Sequence, residues 1–242
     1  MKLKIRPVFT GGTPPSENIV GGGNLQDIFE VAVEAWEAVF KKNGDGHWDV
    51  TIEFGWGPST ASWANAVLKS QGGEPVRITE GSVSFNNKPP KPGFFADPSP
   101  RDSIAYKEFS SYLLDETPLN RGRIFREATG DAVGRIDLLT IATHEIGHLL
   151  GLCYGYTGFD RRCAGAVCII DITPPRPFAG FPIIVEFGPH LAANFGDGGN
   201  PLMIPDPPVG ARQLISGLDA LLIAELSSFN TPNLNGVLPP PY

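Results

Sequence analysis

Histidine, cysteine and methionine are scarce in this chain: its 242 residues hold four, three and two of them. Cys153, Cys163 and Cys168 crowd into one short stretch, so a disulfide framework does not define the structure. Two states are open to them, three reduced thiols or one bridge with one thiol left over. In an oxidised chain Cys163 and Cys168 close the shortest loop that bridge geometry permits, and they are expected to pair first. Charged residues are sparse at 19%, and Lys and Arg form no cluster. With a net charge of -7 this excludes nucleic acid or an anionic membrane as the main partner, because phosphate binding needs concentrated positive charge. No apolar run is long enough for a transmembrane segment. The opening MKLKIRPVFT also lacks the apolar stretch of a signal peptide. No internal repeat is present.

What the chain has in quantity is glycine and proline, 29 and 24 residues, which means many turns and long irregular connections. That texture suits a secreted or extracellular enzyme better than a helical bundle. The length allows one large domain, or two lobes around one cleft.

Residues 2–9 alternate well enough for a first strand, with Pro7 marking a sheet edge or a strand end. Behind Asn24 as N-cap, residues 24–42 set Leu25, Ile28, Phe29, Ala32, Trp36, Val39 and Phe40 at helical spacing. This predicts a helix packed across one face of a sheet. After a turn at residues 43–46, Trp48, Val50, Ile52 and Phe54 alternate against His47, Asp49, Thr51 and Glu53 as in a half-buried strand. Asn43, Asp45 and Asp49 lack the regular alternate ligands and closing glutamate of an EF-hand. Strands are expected at residues 64–68 and 76–79, and a separate one at 81–85. Two readings are open for the last: an open sheet edge able to bind an extended peptide through its backbone, or an ordinary sheet strand. Residues 86–103 read as loop, and a short helix is expected over 104–114. Beyond Gly151 the one apolar run, residues 181–187, predicts a strand. Ser216 and Asp219 form an S-x-x-D cap ahead of Leu218, Leu221, Leu222, Ala224 and Leu226, predicting a terminal helix and then an irregular tail over 230–242.

The densest chemical signal is GRIDLLTIATHEIGHLLGL, residues 134–152. Apolar residues on nearly all sides predict a buried helix, with Asp137 near its positive end and Gly151 where the chain turns away. On a helix, His144 and His148 stack on one face and can reach one metal ion. Glu145 projects beside them, where it can take a proton from a water activated by that ion, the arrangement of a zinc-dependent hydrolase. A catalytic zinc uses three protein ligands and keeps a fourth position open. The candidates for the third are His190, Tyr154, Asp160, Glu186 and His47.

As it stands at His144, Glu145, His148 and Gly151, the motif resembles the start of the metzincin pattern H-E-x-x-H-x-x-G-x-x-H, but Tyr154 occupies the place of the third histidine. The later segment FGPHLAANFGDGGNPLMIP sets His190 ahead of Met203 in a Pro-containing turn. It resembles the third-ligand and Met-turn segment of leishmanolysin-like metallopeptidases, in which a long insertion separates the glycine from the third ligand. The resemblance covers residues 144–151 and 190–205. It implies Zn2+ held by His144, His148 and His190, with Glu145 as general base and Met203 in the Met-turn. The substrate it implies is a peptide or protein. The expected fold is α+β and zincin-like, with an N-terminal twisted mixed sheet, a backing helix and an active-site helix, and a smaller irregular C-terminal lobe ending in a helix. Residues 1–152 and 153–242 would be two lobes of one catalytic domain. Two other readings compete: a zincin-fold binding or adhesion module with little catalysis, which has no chemical need for Glu145, and a zinc hydrolase of non-peptide amides or esters.

Overall fold

The computed structural model describes residues 2–41, 47–58, 63–114, 117–165, 167–186, 188–192, 195–230 and 232–234. The turn expected at 43–46 and most of the expected tail lie outside the described residues. Strand β1 (Lys2–Gly11) turns Leu3 and Ile5 inward and is followed by the short β2 (Ile19–Val20). Helix α1 (Leu25–Val39) begins where the side chain of Asn24 accepts a hydrogen bond from the Asp27 N–H at 2.8 Å. Then come β3 (His47–Gly57), β4 (Ala64–Gly72), β5 (Arg77–Asn86), β6 (Phe94–Phe95), β7 (Tyr106–Leu113), β8 (Asn120–Ala128) and β9 (Ile136–Asp137). The motif helix is α2 (Leu138–Leu149). After it follow α3 (Thr157–Asp160), β10 (Val167–Asp171), β11 (Pro182–Glu186), β12 (His190–Leu191), β13 (Arg212–Leu214) and α4 (Gly217–Leu226).

The result is a mixed α+β structure with, among the described residues, four sheets and four α-helices. No described helix is long and apolar enough to cross a membrane. The main sheet runs β1-β3-β5-β4, with β1, β3 and β5 parallel and β4 antiparallel. Trp48, Val50, Ile52 and Phe54 of β3 are buried as their alternation requires, and Phe54 stacks on Phe29 of α1 at 3.9 Å between ring centroids. Trp36 of α1 donates its indole N–H to the Thr143 carbonyl of α2 at 2.8 Å, which fixes the two helices against each other one residue before His144. On the far side, β13 pairs with β8, which pairs with β7, so the C-terminal chain returns to join N-terminal strands. Residues beyond 152 also form a three-stranded sheet of their own, β10-β11-β12. Cys163 and Cys168 are joined by a disulfide, whereas Cys153 is a buried free thiol pushed up to about 12 by burial.

Two local expectations are corrected, and the choice left open for residues 81–85 falls to an ordinary sheet strand. Residues 106–113 form strand β7 and not a helix, because β8 gives them a pairing partner that local spacing does not reveal. Residues 76–79 and 81–85 belong to one strand, β5. The strand runs on through Glu80 and Gly81, and Leu149 of α2 lies over that glycine: a Cβ at Gly81 would come within 2.6 Å of the Leu149 side chain. The sheet edge beside α2 is therefore β4, since β5 lies between β3 and β4.

Candidate metal centre

Helix α2 is anchored at its start by a buried charge network. Asp137 caps it, one carboxylate oxygen accepting from the Thr140 N–H and hydroxyl, both at 2.9 Å. The other oxygen accepts from the Tyr106 hydroxyl at 3.1 Å and from Arg212 of β13 at 3.0 Å. Arg212, only 1% exposed, also pairs with Asp97. At the other end Gly151, with φ of +146°, turns the chain away, and a Cβ there would lie 3.2 Å from the Leu226 Cβ of α4. The turn brings the Leu152 carbonyl back over the helix.

That carbonyl and one other decide the state of the histidines. His148 Nδ1 lies 2.7 Å from the Leu152 carbonyl oxygen, and His144 Nδ1 lies 2.9 Å from that of Leu202. A carbonyl only accepts, so each imidazole keeps its proton on Nδ1 and presents a lone pair at Nε2. The two Nε2 atoms face each other at 3.0 Å. His190, on β12, completes a group whose three ligand atoms all lie within 4.8 Å of one another. Burial pushes His144 down to about 4, helped by His190, and holds His148 well below the ordinary histidine range, helped by His144 and His190. Neutral imidazoles with lone pairs converging in a buried place repel one another, and a cation that takes nitrogen ligands removes that repulsion. The donor set can hold a metal ion, and outer hydrogen bonds of this kind are the ordinary way such ligands are oriented.

Glu145, next to His144 on the helix, is buried, and its carboxylate accepts a hydrogen bond from the Ala66 backbone of β4. Burial pushes it up to about 8 despite that bond, which makes it a stronger base than an exposed glutamate. The histidines and Glu145 open onto a cleft of about 650 Å³ lined by residues 63–68 and by Pro189, Pro205, Asp206 and Pro207 among others.

Met203 packs against the motif helix. It is fully buried against Gly147, where an added Cβ would meet its sulfur at 2.4 Å. The turn carrying it holds the strand of the third histidine: the Leu191 N–H donates to the Met203 carbonyl at 2.8 Å. Asp160, Glu186 and His47 are not among the side chains whose ligand atoms converge. Tyr154 lines the cleft, but its ring packs edge-on against Phe159 at 5.6 Å. Asp160 accepts from the Gly155 N–H, Glu186 sits opposite His190 in the β11–β12 pair, and His47 is exposed at the start of β3. Sequence reasoning missed the two orienting carbonyls, which carry no side-chain signal. It also missed the reach of Asp219, visible only as a helix cap. No protein-family model, no curated protein and no solved structure matches the chain.

Proposed function

We propose that this chain is a secreted, zinc-dependent endopeptidase of the metzincin type, with the distant third histidine of leishmanolysin-like enzymes. The observation that carries the reading is the pair of Nε2 atoms facing each other at 3.0 Å, each made a lone-pair donor by a carbonyl behind it, with Glu145 beside them in the cleft. Three histidines and an open side are the donor set of a catalytic zinc, and the mixed sheet backed by α1 and α2 supports a zincin-like fold. The Cys163–Cys168 bridge is of the kind that persists outside the reducing cytosol, which supports secretion.

His144, His148 and His190 would hold the ion. A bound zinc supplies Lewis acidity, polarising a carbonyl and making a water easier to deprotonate at neutral pH. The protein supplies the rest. Glu145 accepts the proton of the attacking water and returns it to the leaving amine. Strand β4, at the sheet edge with residues 64–68 along the cleft, can align an extended peptide by backbone hydrogen bonding.

Glu145→Gln tests the reading. The amide oxygen can still accept from Ala66, so fold and metal content should stay at the wild-type level. Hydrolysis of a casein-type substrate should fall by about 10²–10⁴, the usual worth of a positioned general base. A zinc-loaded variant with wild-type turnover would refute the role of Glu145. Wild-type protein that binds zinc but cleaves no peptide substrate, with or without chelator, would favour a binding module or a hydrolase of non-peptide bonds.

A further inference from the structure

Asp219 does more than cap a helix. As the third residue of α4 it completes a capping box with Ser216, accepting from the Ser216 N–H at 2.8 Å and hydroxyl at 2.6 Å. A capping box needs nothing further from the carboxylate. Yet the same oxygen also accepts from the Leu202 N–H at 2.9 Å, and the other accepts from the Met203 N–H at 2.9 Å. Among the described residues this fully buried carboxylate has no ion pair, so it is satisfied by backbone and hydroxyl donors alone.

Those amides belong to the turn that steers the metal ligands. The Met203 N–H and the Leu202 carbonyl are two ends of one planar peptide unit, so holding the first fixes the direction of the second. The Leu202 carbonyl is the acceptor that orients His144. The next carbonyl, that of Met203, holds the Leu191 N–H beside His190. We propose that Asp219 is a positioning residue for the metal centre: it grips the 202–203 turn and thereby aims two of the three histidines. This rests on the reading of the three histidines as metal ligands.

The test compares one variant at each member of the Ser216–Asp219 box. Asp219→Asn keeps one acceptor oxygen and sets an NH2 group against a donor, so one of the bonds to Leu202 and Met203 is lost. Ser216→Ala removes the hydroxyl of the box and leaves both turn bonds intact. Zn2+ affinity is read by competition with a chromophoric chelator, ligand geometry by the visible spectrum of bound Co2+, and stability by thermal unfolding in chelator. Asp219→Asn should weaken metal binding about 10–100-fold, the usual effect of losing an orienting partner, and alter the Co2+ spectrum. Ser216→Ala should lower the unfolding temperature while metal affinity stays within about twofold of wild type. On wild-type protein, which does not depend on either variant folding, hydrogen exchange at the Leu202 and Met203 amides should slow at least about tenfold when Zn2+ binds, because the coupling is reciprocal. Unchanged exchange on metal binding, wild-type affinity in Asp219→Asn, or equal loss of affinity in both variants overturns the positioning role. Wild-type protein that binds neither ion overturns the metal reading itself.

Discussion

One methyl group at Gly147 should destabilise this protein even though it improves the helix. In an open helix interior, Gly→Ala gains about 1 kcal/mol, because alanine has the higher helix propensity. Here the new Cβ would stand 2.4 Å from the Met203 sulfur, 3.0 Å from its Cε and 3.1 Å from Trp36 Cζ2. Carbon contacts are comfortable near about 3.5–4.0 Å, so Met203 has to move by more than about 1 Å inside a filled core. Trp36 cannot yield, since its indole is bonded to the Thr143 carbonyl and it stacks near Phe40. Overpacking of this kind costs about 1–3 kcal/mol, which outweighs the helix gain and leaves a net loss of up to about 2 kcal/mol. Met203→Ala alone should cost about 2–5 kcal/mol through the cavity it opens. On that background the obstruction is gone, and Gly147→Ala should become stabilising by about 1 kcal/mol. Urea unfolding of the four proteins, all in chelator, measures the cycle, and a coupling of about 1–3 kcal/mol between the sites is expected. If Gly147→Ala stabilises the wild type, or the two effects simply add, Met203 does not pack against the histidine helix as described.

His190→Ala should lower zinc affinity sharply and abolish proteolysis, whereas Tyr154→Phe keeps stoichiometric zinc; atomic absorption after dialysis against a weak chelator reads both, and tight zinc in His190→Ala would exclude it as a ligand. Arg212→Met leaves Asp97 and Asp137 buried without their cation and should cost about 3–5 kcal/mol by chemical denaturation, with a loss below about 1 kcal/mol showing that the network does not anchor α2.

What could be read from the chain alone was whatever its neighbours in sequence determine. Helix α1 announces itself through spacing and the Asn24 cap, β3 through alternation, and α4 through the Ser216–Asp219 box, because each signal lies inside the element it describes. Strand β7 was hidden because its partner β8, and not its own pattern, makes it a strand. The continuity of β5 through Glu80 has the same kind of cause, since the pairing with β3 and β4 on either side holds it as one strand. At the site, His144 and Glu145 are legible from spacing on one helix. His190 was singled out only through a family resemblance, since nothing local ties it to them. The hydrogen bonds that set the imidazole tautomers could not be foreseen, because folding alone brings the Leu152 and Leu202 carbonyls to those nitrogens.

The use of main-chain acceptors has a consequence for how such a site can drift over generations. Many metal centres orient a histidine with a carboxylate, which one substitution can erase. A carbonyl oxygen is supplied by every amino acid, so positions 152 and 202 can exchange one apolar side chain for another that fills the same space and still present the acceptor, provided the backbone path is kept. Orientation of His144 and His148 is thereby decoupled from residue identity at the two places that supply it. What still restricts the two positions is packing, since both leucines are buried in the core, and that constraint concerns size and apolarity, not the hydrogen bond to the ring.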